Sequence, residues 1–214
     1  MSQPEWKTRS IHKKIGGKDV YILGVVLGLD SEGDIVRDAL NELKPDLIGL
    51  SIPPEGMRGL EAVVDGKIKS VYPSRVEIIY ARHLSMFGEV STPPRVYVVA
   101  YRYAKKKGVK ILPLDIGEPE FSRIYTEEIS TMELIRYSML ANKLEKMKVR
   151  SSTPEDFAME WDARVNALKG YRRVEERREE HMAMMIKKFA SRLKFNTMLV
   201  VAEYPRYRGI ASHL

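Results

Sequence analysis

Four stretches of the chain are apolar at nearly every position, while the segments between them are apolar only at helical spacing. "VYILGVVLGL" (20–29), "DLIGLSI" (46–52), "VKILPLDIG" (109–117) and "NTMLVVAEY" (196–204) lack sustained apolar–polar alternation, as strands covered on both faces do. The first is preceded by "SIHKKIGGKD", so Gly16-Gly17 predicts a hairpin turn and an antiparallel partner strand. Beyond it, Ser31 stands where a helix N-cap is expected, with Asp34 three residues on and Ile35, Ala39, Leu40 and Leu43 on one face. Pro53-Pro54 closes the second strand. Val76, Ile79, Tyr80, His83, Leu84 and Phe87 mark an amphipathic helix over 74–87. "STPPRVYVVAYRYAKKKG" (91–108) marks another, with Pro93 or Pro94 in its first turn and Gly108 at its exit.

The stretch 120–194 has a different texture and predicts helices over 131–148, 153–169 and 171–194. The second has Thr153 as N-cap, Pro154 at N1 and Asp156 at N3, with Phe157, Trp161, Val165 and Leu168 on one face. The third runs through Val174, Arg178, His181, Met185, Phe189 and Leu193. Strand–helix alternation with continuous apolar strands predicts an α/β fold: a mainly parallel sheet flanked by helices, with a helical insertion lobe over 120–194 before the last strand. The linkers are short, so 1–214 reads as one domain.

Composition narrows the functional classes. Of 214 residues, 44% are hydrophobic and 30% charged, which suits one substantial core and not a disordered chain. The absence of cysteine excludes disulfides, thiolate metal sites and cysteine nucleophiles. No apolar run is long enough to cross a bilayer and "MSQPEWKTRS" lacks the apolar centre of a signal peptide, so a cytoplasmic location with no membrane association is expected.

The net charge of +7 is unevenly placed. Arg102, Lys105, Lys106 and Lys107 interleave with Tyr101 and Tyr103, and Arg206 and Arg208 stand between and beside Tyr204 and Tyr207. Cations among aromatic platforms suit single-stranded nucleic acid, although no nucleic-acid motif accompanies them and solvated charged faces read the same way. Met132, Met139, Met147, Met182, Met184 and Met185 offer more apolar surface than a small lobe buries, which makes a homo-oligomer a further expectation.

In an open parallel sheet, ligands bind beyond the carboxyl ends of the strands. Those ends supply Asp30, then Ser51 and Glu55, then Asp115 and Glu118, and finally Glu203, Tyr204 and Arg206, with Arg58 close in sequence. Three convergent carboxylates would suit a hard cation such as Mg²⁺, yet strand-end carboxylates also serve as helix caps and ion-pair partners. His12, His83, His181 and His213 show no zinc spacing, and His83 reads as a hydrogen-bonded core residue. No phosphate-binding glycine loop or nucleophile elbow is present, and neither a metal nor a cofactor is expected.

Four segments in order, "ILGVVLGLDSEGDIV" (22–36), "LKPDLIGLSIPPEGMRGL" (43–60), "RVYVVAYRYAKKKGVKILPLDI" (95–116) and "EERREEHMAMMIKKF…MLVVAEYPRYRGI" (175–210), resemble the TraB/PrgY group. Its wider relatives include ChaN-like, erythromycin-esterase-like and TIKI proteins. The resemblance implies an α/β core with inserted helices and, for several members, metal-dependent hydrolysis. Where the group's first strand ends in a G-x-x-H-like motif, this chain has Gly24 and then Leu27. Ser51 in "LSI" stands for the usual glutamate, and "EYPRYRGI" puts Arg206 at the histidine of G-x-G-H. Asp115 in "LPLDI", Arg178 with Glu179 or Glu180 in "RREEHMA", and Gly209-Ile210 survive.

A hydrolase of this type needs ligands to generate a hydroxide and a base to use it. Leu27 supplies neither, and Arg206 would repel a cation. The expectation is a non-catalytic TraB-like domain with a degenerate site and no catalytic residue. There Ser51, Asp115, Arg178, Glu180, Glu203 and Arg206 would bind a peptide, a small anion or a protein partner, with the two arginines favouring an anion. The alternatives are a metal-dependent hydrolase using rearranged carboxylates and a nucleic-acid-binding protein.

Overall fold

Positive φ at Gly16 (56°) and Gly17 (79°) turns β1 (Ser10–Ile15) back along β2 (Lys18–Val25), forming the expected hairpin in the computed structural model, which describes residues 3–68 and 73–214. The other strands are β3 (Leu47–Leu50), β4 (Lys110–Pro113) and β5 (Thr197–Glu203), and the sheet order is β1-β2-β5-β3-β4. Only β1 and β2 are antiparallel; β5 enters between β2 and β3, parallel to both. The helices are α1 (Glu5–Thr8), α2 (Glu32–Leu43), α3 (Pro54–Val64), α4 (Arg75–Leu84), α5 (Arg95–Lys107), α6 (Glu118–Glu128), α7 (Thr131–Ser138), α8 (Leu140–Glu145), α9 (Pro154–Val165), α10 (Lys169–Arg192) and α11 (Tyr207–Ser212).

The period of two along each strand divides the core. Leu23, Val25, Ile48, Leu50, Leu199 and Val201 face α2, α3 and α5, where Val36, Leu40, Leu60 and Ala100 meet them. Val20, Ile22, Met198, Val200 and Ala202 face α10 and α11, against Met182, Ile186 and Ile210. Both faces of the three central strands, β2, β5 and β3, are therefore covered, and each fully buried aliphatic side chain contributes roughly 1.5–3 kcal/mol. Close packing fixes Gly24, because a Cβ there would sit 2.6 Å from the Tyr207 ring of α11.

Over the carboxyl edge of the sheet, α4, α8 and α9 join Val26 and Leu29 through Ile79, Leu84, Leu144, Phe157 and Trp161. A satellite cluster joins α6 to the start of α10 through Ile124, Ile129, Tyr171 and Val174. The 24 residues of α10, about 36 Å of helix, run from that cluster onto the sheet face. The helical stretch is thus continuous with the sheet layers, and α4 from the first half of the chain belongs to it in space.

Several local expectations are corrected. Ser31 lies in the helical region and makes no capping bond. Instead the buried Glu32 carboxylate accepts from Val26 N at 2.9 Å and pairs with Arg9, which also reaches Glu155 at 3.0 Å. Pro54 does not merely end a strand; it opens α3 at the first turn, where a missing N–H costs nothing. Pro119 does the same for α6, which the pattern left unassigned, and Pro94 is the residue before α5 and not in its first turn. The expected helix over 131–148 breaks at Met139, because its two halves pack on different neighbours. Tyr137 stacks on Tyr171 of α10 at 4.2 Å, while Leu144 enters the α4 cluster.

Thr153 caps α9 as expected, accepting from Asp156 N at 3.1 Å, and half-buried His83 bonds the Leu144 carbonyl at 3.0 Å. Among the methionines, Met182 is core, Met147 and Met185 are partly buried, and Met132, Met139 and Met184 are exposed.

Gly24→Ala is expected to destabilise the protein by about 1–3 kcal/mol, since the Tyr207 ring has no room to retreat. Gly59→Ala, in α3 with nothing within 4 Å of the new Cβ, is expected to stabilise it by about 0.5–1 kcal/mol. Thermal denaturation of the two variants should therefore shift in opposite directions.

Candidate functional site

β2 and β5 are parallel neighbours whose following helices depart to opposite faces, α2 to one and α11 to the other. Such a division opens a crevice at the carboxyl ends of the strands. A cavity of about 490 Å³ lies there. Its sheet side is Val25, Leu27 and Gly28; α4 supplies Val76 and Tyr80, and α9 supplies Ala158, Trp161 and Asp162. Glu203, the last residue of β5, closes it beside Pro205.

The apolar wall has a local cause. Gly28 takes φ 98°, and its carbonyl accepts from Ser91 N at 2.9 Å while Leu29 bridges Val90. The segment before α5 is thereby paired to the end of β2 and forms the cavity's rim with Val90, Ser91 and Thr92.

Glu203 is positioned by Ser51. The regular β3 strand stops at Leu50, and the Ser51 hydroxyl takes over the ladder, accepting from Glu203 N at 3.3 Å and bonding the buried Tyr97 hydroxyl at 3.0 Å. Behind Glu203 lies a charged network. Arg178 forms a fork on Asp115, with Nε 3.1 and 3.2 Å from the two carboxylate oxygens and an Nη2 bond to Oδ2. Its Nη1 donates to both oxygens of Glu175, at 2.7 and 3.0 Å. Arg206 pairs with Asp162 and with Glu179 at 3.4 Å, and its Nε lies 3.0 Å from Glu175 without the alignment of a hydrogen bond. Glu203 is the exception: Arg178 is 4.0 Å away, and among the described residues no hydrogen bond reaches its carboxylate.

Five carboxylates thus surround two guanidiniums, leaving three negative charges unmatched. The proton affinities register the surplus. Burial pushes Asp162, Glu179 and Glu203 above the usual carboxylate range, and the like charge of Glu175 adds to it, while Arg206 pulls all three down. For Glu203, Arg178 is the larger opposing influence. Burial also raises the Tyr80 phenol, which stays neutral at the cavity wall.

The sequence-derived candidates separate accordingly. Asp115, Arg178, Glu203 and Arg206 come together around the crevice, with Ser51 beneath them, but their roles differ from those expected. Arg178 and Arg206 are covered by carboxylates and do not present free positive charge, which removes the expected preference for an anion. Ser51 is buried and spent on positioning. Glu180 is exposed on α10 and stands outside the network; Glu179 occupies that place. Among the described residues, no three His, Asp or Glu side chains are grouped to hold a metal ion, since arginine nitrogens stand between the carboxylates. Asp30 lies 3.8 Å from Arg95, and Glu55 and Glu118 face Arg58 and Ser122 on exposed helix starts.

The basic–aromatic candidates do not form one surface. Tyr101, Arg102, Lys105, Lys106 and Lys107 end α5 at the amino edge of the sheet, whereas Arg206 and Arg208 follow β5 at the carboxyl edge. Arg208 packs over Tyr207 at 5.3 Å, and Tyr207 itself is core.

No protein-family model matches this sequence, and no curated protein matches it. The crevice is therefore interpreted from its own groups. Glu175, Asp162, Tyr80 and Trp161 were not among the candidates. The spacing of Glu175, Arg178 and Glu179 at i, i+3 and i+4 was a readable signal, because it sets three charges on one face of a helix whose next turns are apolar.

Arg178→Met strands the buried Asp115 carboxylate and is expected to cost about 3–5 kcal/mol, most of it recovered by adding Asp115→Asn. The raised carboxyls fix the sign of a pH effect. Each holds its proton more tightly when folded, so its stabilisation is complete below the ordinary carboxylate range and is lost as pH rises through the raised value. Urea midpoints should fall as pH rises above the ordinary carboxylate range, and Glu203→Gln should flatten that fall and stabilise the protein at the upper end.

Proposed function

We propose that this chain is a non-catalytic binding domain of the TraB/PrgY type whose crevice receives an amine-bearing apolar group, such as a basic side chain or the amino terminus of a peptide. The observation that carries this reading is Glu203: a carboxylate with no hydrogen bond to it among the described residues, in an apolar cavity that Tyr80 and Trp161 also line. An ammonium group there gains a carboxylate partner in a cavity that also holds aromatic rings, and the hydrocarbon that follows it covers Val25, Leu27 and Val76. Of the occupants expected from sequence, a peptide or protein segment fits this chemistry and a small anion does not. The negative surplus around Glu203 repels it.

The TraB/PrgY reading rests on the order of the four segments along the sequence. A hydrolase reading has one point in its favour, since a raised carboxyl in a cleft is a competent proton donor. It lacks a nucleophile: Ser91 and Thr92 on the rim have no histidine partner among the described residues.

Titration with n-hexylammonium, followed by Trp161 fluorescence, should saturate, while hexanoate should produce no change. Glu203→Gln should weaken hexylammonium binding at least about tenfold, the scale of a desolvated charge-assisted contact. Binding should also weaken as pH falls and Glu203 takes up its proton. Preference for hexanoate, or hydrolysis of a peptide or ester panel that Glu203→Gln abolishes, would overturn the proposal.

A further inference from the structure

We propose that the amino edge of the sheet, opposite the crevice, is a binding surface for single-stranded nucleic acid. Three connections meet there: α2 into β3, α5 into β4, and α10 into β5. Leu47 pairs with both Lys110 of β4 and Met198 of β5, so these connections lie side by side at about 4.8 Å per strand. They bring Lys44, Lys106, Lys107, Lys110, Arg192 and Lys194 to one edge. All six are exposed, and none is ion-paired among the described residues.

Of the acids nearby, Asp46 and Asp65 are already engaged, and Glu61 stands beside Tyr101. Asp46 accepts from Asn196 N at 2.9 Å and Thr197 N at 3.1 Å, and Asp65 holds Lys105 at 2.6 Å. The C-terminus of α10 has its own cation in Lys18, whose ammonium bonds the Ala190 carbonyl at 2.6 Å and that of Leu193. Offsetting three helix ends needs about one cation each, which leaves most of the lysines without an internal task.

A second observation selects the partner. A shallow groove of about 400 Å³ runs between Tyr101, Lys105, Val109 and Lys110, with the Lys105 ammonium 5.9 Å from the Tyr101 ring centre. A half-buried aromatic ring flanked by cations is a platform on which a base stacks while neighbouring lysines take the phosphates. Among the described residues, Ile68, three positions after the Lys105 partner Asp65, is the large exposed apolar side chain nearest in sequence to this edge, and a lone isoleucine is a weak anchor for a lipid surface.

The test uses the full chain and a fluorescein-labelled 20-nucleotide poly(A) RNA, read by anisotropy from 50 to 300 mM KCl. Binding should show a log–log salt slope of about −2 to −3, the value expected for three or four phosphates. Lys106→Glu/Lys107→Glu/Lys110→Glu should weaken it more than tenfold and flatten the slope. Lys143→Glu/Lys146→Glu/Lys148→Glu, an equal change of charge on exposed sites around α8, should weaken it far less. Tyr101→Leu, which keeps the apolar volume, should weaken binding severalfold with little change of slope. No binding at 50 mM KCl, equal losses in the two triple variants, or tighter binding to phosphatidylserine vesicles than to the RNA would overturn the proposal.

Discussion

Two arginines that cannot lose their charge sit among five carboxylates that can, and the carboxyl edge of this fold is organised around that imbalance. Arg178 ties β4 to α10 through Asp115 and Glu175; Arg206 ties the β5–α11 turn to α9 and α10 through Asp162 and Glu179. Removing water from such a network is costly. The guanidiniums repay it through hydrogen bonds to Asp115, Glu175, Asp162 and Glu179, and burial raises the proton affinity of Asp162, Glu179 and Glu203. The same imbalance defines what the crevice attracts. A group that brings a positive charge reduces it, and a group that brings a negative charge worsens it.

The parallel sheet then separates the charges by sign. Its strands end at the carboxyl network, under the cover of α4 and α9, and they begin at an open edge where helix C-termini and lysines gather. Helix dipoles favour cations at the amino edge, yet the carboxyl edge carries acids in excess of what helix N-termini would select, and two of the five, Glu175 and Glu179, come from the body of α10. The acidic network is thus a tertiary arrangement, while part of the basic edge follows from secondary structure alone.

The strands, the hairpin and the α9 cap were legible because each depends on local pattern: unbroken apolar runs, Gly16-Gly17, and Thr153-Pro154. The helices α3 and α6 were not, because proline reads as a stop until one asks which N–H groups a first turn can spare. The break at Met139 depends on Tyr171 and α4, far away in sequence. At the site, strand-end reasoning found Ser51, Asp115, Glu203 and Arg206, since topology alone brings those positions together. It assigned the arginines the opposite role because a sequence shows a cation without showing who covers it. Asp162 and Trp161 were read as helix and core, and they are that; their second task appears only where α9 crosses the strand ends.

Leu27 shows how an apolar residue at a strand end can serve a site. With Gly28 at φ 98° and Leu29 bridged to Val90, the backbone at the end of β2 is bent outward into a wall, and a leucine on that wall presents hydrocarbon to the cavity. A histidine there would share the cavity lining with Glu203 and Asp162, and its protonated form would supply internally the positive charge that the crevice lacks. Hydrocarbon at this position keeps Glu203 unneutralised and the cavity apolar, the two conditions under which an incoming ammonium gains most from entering.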